Sequence, residues 1–129
     1  MIKNVSSILL LVLVFSFSSC TKSKEEVIPI SSELLYFRYA KDATNTTSRL
    51  EYAIKFTNLN LYSIKGSFEI FMKFDDNEAI FTTIGPAPCK SIEGNSSCIY
   101  TIDTDGIRVE NNALVNTITF ERVEYSIEE

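Results

Sequence analysis

The sequence predicts a single domain made entirely of β-strands, in which two antiparallel sheets pack face to face. From Leu50 to Phe56 every second residue is apolar, and the same holds from Phe68 to Phe74. This period of two is typical of strands with one buried face. Turn-forming residues recur at intervals of about 8 to 12 residues, and no segment shows a sustained helical period. Together these observations predict a β-sandwich.

About seven strands account for the region after residue 33. The sequence predicts them at 34–39, 51–57, 68–74, 79–84, 98–104, 107–110 and 114–127. In the last segment the apolar residues pass from even positions (Ile118, Phe120) to odd positions (Val123). A shift of one residue in this pattern predicts a β-bulge near residues 121–122.

Turn residues separate these segments: Asp75-Asp76-Asn77, a Gly-Pro-Ala-Pro run at 85–88, Glu93-Gly94-Asn95 and Asp105-Gly106. Seven short strands in this length favour a sandwich of the immunoglobulin or fibronectin type, with a small open β-barrel as the alternative. The chain contains no tryptophan, so the antibody hallmark of a buried Trp is absent.

The N-terminus carries a separate signal. A nearly continuous apolar run extends from Ile8 to Phe17, and Ser18 and Ser19 follow it. A membrane-spanning helix needs about 20 apolar residues, so this run is too short to span. Its length and the small residues after it are typical of the hydrophobic region of a secretory signal peptide.

The box Phe17-Ser18-Ser19-Cys20 at the end of this run resembles the processing site of bacterial lipoproteins. Phe17 stands where many lipoproteins have leucine. The resemblance implies a diacylglycerol group on the Cys20 sulfur, cleavage before Cys20 and acylation of its new α-amino group. It covers the first twenty residues only. A plainly secreted protein with an unlipidated Cys20 is the alternative.

The predicted organisation is a signal peptide at 1–19, a flexible tether at 20–33 and the sandwich domain at 34–129. The tether is rich in Lys, Glu and Ser and lifts the domain off the membrane. Within it, Lys24-Glu25-Glu26 is similar to a tag that sends some lipoproteins of Gram-negative bacteria to the cell surface, although a solvated spacer explains it equally well. We therefore expect an outer-membrane lipoprotein of a Gram-negative bacterium, either periplasmic or surface-exposed.

The cysteine count agrees with this organisation. Of three cysteines, lipidation uses Cys20 and leaves Cys89 and Cys98 as a pair in an exported protein. We predict that they form a disulfide, because the chain offers no histidine or second cysteine pair for a metal site. They are too close in sequence for an antibody-type bridge between sheets. We expect the bond to close the 90–97 loop outside the main core.

The residue inventory argues against catalysis. Without histidine the chain cannot form a Ser-His-Asp or Cys-His arrangement, and it has no glycine-rich phosphate loop. Clustered oxygens at 75–78 and at Asp103 and Asp105 could in principle bind Ca²⁺, but turn formation explains them better. We predict no catalytic residues, no metal and no cofactor. The net charge of −5 excludes a nucleic-acid partner.

The sequence therefore predicts a non-catalytic, membrane-anchored binding or accessory module. Its partner beyond the membrane is an unidentified protein or glycan. The alternative is a periplasmic inhibitor or a small hydrolase assisted by acids or calcium. A row of exposed aromatic side chains would favour glycan binding, and a deep acidic pocket would favour catalysis. Phe71 and Phe81 are the aromatics expected on the polar sides of their strands.

Overall fold

The computed structural model describes residues 25–44, 46–82, 87–107 and 114–129, with the backbone alone for residues 81 and 82. These parts of the chain contain seven strands and no helix. The strands are β1 (Ser31–Lys41), β2 (Ser48–Asn58), β3 (Ile64–Phe74), β4 (Asn77–Thr82), β5 (Ser91–Ile92), β6 (Ser96–Asp105) and β7 (Ile118–Ile127). The predicted all-β fold is confirmed.

The strands form two antiparallel sheets that pack face to face. One sheet has the order β1-β2-β6. In the other, β3 is central, with β4 and β5 on one edge and β7 on the other. A three-stranded and a four-stranded antiparallel sheet packed in this way form the predicted β-sandwich. The strands belong to two separate sheets rather than to one curved sheet, so the sandwich is confirmed over the barrel alternative.

The core lies between the two central strands. On β2, Ile54 and Phe56 are completely buried, and on β3 Phe68 and Met72 are 1% exposed or less. The rings of Phe56 and Phe68 meet with centroids 4.6 Å apart. Burying one such side chain contributes about 1.5–3 kcal/mol, and the alternation that predicted these strands is the alternation that fills this core.

The predicted bulge in β7 is confirmed. Phe71 pairs with Arg122 and Met72 pairs with Phe120, so Glu121 is the extra residue. Its carboxylate forms an ion pair with Lys73 at 2.8 Å. A second bulge, at residue 35 of β1, was not predicted, because the run Leu34-Leu35-Tyr36 is apolar throughout and does not reveal which residue is inserted.

Most strand boundaries differ from the prediction by a few residues; β7, for example, begins at Ile118 rather than at residue 114. Strand β1 begins at Ser31 rather than at residue 34, because the polar residues Ser31 to Glu33 pair through their backbone with β2. The short strand β5 was missed, since two residues carry no periodic signal. Of the strand predicted at 107–110, Ile107 lies outside any strand and the remaining residues are outside the described part of the chain.

The sulfur atoms of Cys89 and Cys98 lie at bonding distance, as predicted, with their Cα atoms 5.5 Å apart. The expected position of the bond was wrong. Cys89 is 4% exposed and Ile92 is 2% exposed, and both belong to the core. The amide of Gly66 donates to the carbonyl oxygen of Lys90 and draws this segment onto β3. The bond therefore joins β6 of one sheet to the β5 segment of the other.

Candidate functional site

The two ends of the sandwich differ in chemistry. Strand β2 runs from Ser48, where β1 and β6 end, to Asn58, where β1 and β6 begin. Eleven residues of strand span about 35 Å. The N-terminal segment reaches the sandwich beside Asn58, and we call that end the tether end. The opposite end, at Ser48, is the distal end.

A buried amide organises the tether end. Asn58 is fully buried, and its Nδ2 lies within hydrogen-bonding distance of the carbonyl oxygens of Tyr62 (2.9 Å), Ile92 (3.0 Å) and Glu93 (3.2 Å). Its Oδ1 accepts from the backbone amide and the side-chain amide of Asn60, each at 2.9 Å. One side chain thus fixes the β2–β3 loop, which crosses from one sheet to the other, against β5 and the turn that follows it.

A second amide attaches the N-terminal segment to this loop. The Oδ1 of Asn60 accepts from the backbone amide of Ile28 at 2.8 Å, and its Nδ2 donates to the carbonyl oxygen of Ile28 at 2.8 Å. This pair of bonds imitates the pairing of two strands. The segment that precedes β1 is consequently held on the sandwich at Ile28, three residues before the first strand begins.

The backbone of the 93–95 turn packs directly against the β2–β3 loop. A Cβ atom placed on Gly94 would lie 2.5 Å from the carbonyl carbon and oxygen of Leu61, so only glycine allows this close packing. The amide of Asn95 donates to the carbonyl oxygen of Asn60 at 2.9 Å. The β2–β3 loop is thereby fixed both by the N-terminal segment and by the 93–95 turn.

These fixed segments present apolar side chains to solvent. Among the described residues, ten large hydrophobic side chains are strongly exposed, and five of them lie here: Val27 (44%), Ile28 (45%), Leu59 (55%), Leu61 (77%) and Tyr62 (41%). We call these five residues the hydrophobic tip. Val27 and Tyr62 also line one cleft of about 440 Å³. None of these residues was predicted as part of a site, although two leucines and a tyrosine inside the loop between two strands were a visible signal in the sequence.

The distal end is polar. An open cleft of about 600 Å³ lies between the β1–β2 loop and the end of β6. Two cations and two carboxylates line it: Lys41, Arg49, Asp42 and Asp105. The described loop residues are fixed by Asp42, whose carboxylate accepts from the amides of Thr46 (2.7 Å) and Thr47 (3.1 Å).

Three carboxylates at this end, those of Asp42, Asp75 and Asp103, are stabilised in their ionised form. The hydroxyl of Thr44 and the amide of Thr47 hold the pKa of Asp42 well below its usual value. Hydrogen bonds from Arg49 at 2.8 and 2.6 Å lower the pKa of Asp103. The pKa of Asp75 is lowered in the same way by a bond from the amide of Thr117. A general acid requires a raised pKa, so these groups are unsuited to that role.

Several residues singled out from the sequence can now be placed. Cys20 lies outside the described residues. Asp103 is engaged by Arg49 rather than by a neighbouring acid, and within the described ranges no three Cys, Asp or Glu side chains converge as a metal site. Phe71 lies on the outer face of β3, as predicted, but is only 6% exposed because the Arg122 guanidinium covers its ring at 3.6 Å. The side chain of Phe81 is outside the described residues.

Strongly exposed aromatic side chains do not form a row on the described surface. Tyr36 is 50% exposed on β1, and Tyr62 is 41% exposed at the tether end. The register places Tyr36 opposite Ala53, midway along β2, whereas Tyr62 lies beyond the end of that strand. The two rings therefore belong to different parts of the molecule. The feature that would favour a glycan-binding face is therefore missing from this part of the chain.

Comparison with known proteins gives no relative. No family model, no curated protein and no solved structure matches the chain. In the described part of the chain there is also no helix long and apolar enough to cross a bilayer.

Proposed function

We propose that this protein is an exported, lipid-anchored β-sandwich that binds a protein partner without catalysing a reaction. The lipid is carried by Cys20, at the outer membrane of a Gram-negative bacterium. The observation that carries the proposal is the separation of the two ends. The segment leading from Cys20 reaches the sandwich at the tether end, and the charged cleft lies about 35 Å away at the distal end.

The electrostatics of the distal end support a binding role over a catalytic one. Lowered pKa values keep Asp42, Asp75 and Asp103 ionised. Each of them is already engaged by hydroxyl, amide or guanidinium donors, so none of these three carboxyls is poised to give up a proton. This weighs against the hydrolase alternative.

The character of the surface favours a protein over a glycan as partner. The exposed aromatics are dispersed, whereas the distal cleft alternates cations and carboxylates within a short distance. A protein surface with complementary charges can meet such a pattern, and charge complementarity chiefly supplies specificity and association rate. The net charge of −5 disfavours a nucleic acid.

Site-specific photo-crosslinking tests the proposal. A photoreactive residue is introduced at Thr47, on the rim of the distal cleft, and in a matched variant at Ser126, an exposed residue of β7 near the tether end. In membranes of the source organism, irradiation is expected to give one discrete adduct from position 47 and none from position 126. Equal adducts from both positions, or none from position 47, would refute a distal binding surface.

A further inference from the structure

We propose that the hydrophobic tip rests on the lipid bilayer to which Cys20 is anchored, so that the sandwich stands on the membrane with its distal end outward. This inference rests on the proposed lipid anchor. It adds a second, non-covalent contact with the membrane, made by Val27, Ile28, Leu59, Leu61 and Tyr62.

Chain length limits where the tip can be. Ile28 is eight residue-to-residue steps from Cys20, and a fully extended chain advances at most about 3.6 Å per step. The tip therefore stays within about 29 Å of the lipidated residue. Because Asn60 holds Ile28 against the β2–β3 loop, the tip is also the part of the sandwich that the chain from the anchor reaches first.

The tip has the properties of a surface that inserts into a membrane interface. Four of its side chains are aliphatic and the fifth is a tyrosine. Tyrosine is enriched at membrane interfaces because its ring is apolar and its hydroxyl is polar. The structure fixes the backbone from which they project through Asn58, Asn60 and the Gly94 turn. Little conformational entropy is then lost when the tip inserts, which favours binding.

The charges around the tip indicate which lipid surface it prefers. Glu25, Glu26, Glu128 and Glu129 are exposed near Val27, and Lys65 lines the same cleft. With Lys22 and Lys24 of the tether, four acidic and three basic side chains leave this region close to neutral, so charge gives little attraction to an anionic surface. Apolar insertion rather than charge attraction drives the contact, so a zwitterionic membrane is sufficient.

The absence of tryptophan from the chain provides a direct test. Leu61→Trp places a single fluorophore at the tip, and Ile80→Trp places one at an apolar position on β4 that is also exposed. Leu59→Trp supplies a second tip position if the first variant folds poorly. The lipidated full chains are reconstituted in phosphatidylcholine vesicles, with and without brominated acyl chains.

Insertion by roughly 5–10 Å is expected to shift the emission of Leu61→Trp to the blue and to allow quenching by brominated lipid, with no such effect for Ile80→Trp. Adding phosphatidylglycerol is expected not to increase the quenching. If the vesicles carry the protein but both variants are quenched equally or not at all, the tip proposal is wrong while the anchor stands.

Two other outcomes would also overturn the proposal. If the wild-type chain does not float with the vesicles, the anchor and the tip contact both fail. If the tryptophan at position 61 is shielded from acrylamide in native membranes but not in pure lipid vesicles, a protein rather than lipid covers the tip.

Discussion

Replacing Asn58 by leucine tests the view that one buried amide holds the tether end together. Leucine has the same branching and number of side-chain heavy atoms as asparagine, although its two methyl groups make it larger, and it removes every hydrogen bond of the side chain. The carbonyl oxygen of Ile92 and the amide of Asn60 lose their partner inside the protein. The bonds to Tyr62 and Glu93 are lost at partly buried positions.

The expected loss of stability follows from these contacts. A buried polar group left without a partner costs about 1–3 kcal/mol, and two such groups are left here. The buried apolar side chain returns about 1.5–3 kcal/mol, and fitting the larger leucine into a packed site costs about 1–3 kcal/mol more. The free energy of unfolding is therefore expected to fall by about 4 kcal/mol, a large fraction of the roughly 5–15 kcal/mol that stabilises a domain of this size.

Urea denaturation followed by circular dichroism measures this change. Asn77→Leu is the matched control, because Asn77 is exposed at the start of β4 and the same substitution there is expected to change stability by about 0.5 kcal/mol or less. If Asn58→Leu costs no more than this control, the amide network does not organise the tether end and the reasoning fails.

Three further predictions concern the disulfide and the acids. Reduction of Cys89–Cys98 is expected to lower the free energy of unfolding by about 2.5–3 kcal/mol, and an unchanged melting temperature would contradict the bond. Because the pKa of Asp42 is lower in the folded state, its ionised form contributes stability that is present above about pH 4 and lost as the pH falls further. Asp42→Ala is therefore expected to melt at a lower temperature at pH 7 and to lose less stability in acid, whereas parallel pH curves for both proteins would argue against this role. Millimolar Ca²⁺ is expected not to change the melting temperature; a rise of several degrees that Asp103→Asn/Asp105→Asn abolishes would identify a calcium ligand set.

Strong local patterns account for the parts of the fold that could be predicted. Strands β2 and β3 are central, and each buries one face, so the alternation of Leu50 to Phe56 and of Phe68 to Phe74 is strong, although Ala53 and Phe71 interrupt it. The bulge at Glu121 was visible because a one-residue insertion moves every later side chain to the opposite face. These features are consequences of the period of a strand alone.

The organisation of the tether end could not be predicted, because it depends on contacts between distant segments. Asn58 and Asn60 look like ordinary turn residues in the sequence, since asparagine favours turns in general. Their partners are 32 to 35 residues away for Ile28, Ile92 and Glu93. Only the packing of the two sheets shows that these amides are buried and join the N-terminal segment to the β2–β3 loop.

The central claim is the lipid anchor at Cys20, and mass spectrometry of the mature protein tests it most directly. The protein is extracted from membranes with detergent, digested, and its N-terminal peptide is sequenced and weighed. The account predicts a peptide that begins at Cys20 and carries a thioether-linked diacylglycerol together with an acylated α-amino group. A peptide that begins at Met1, or one that begins at or near Cys20 with an unmodified thiol, would contradict the anchor and with it the proposed orientation on the membrane.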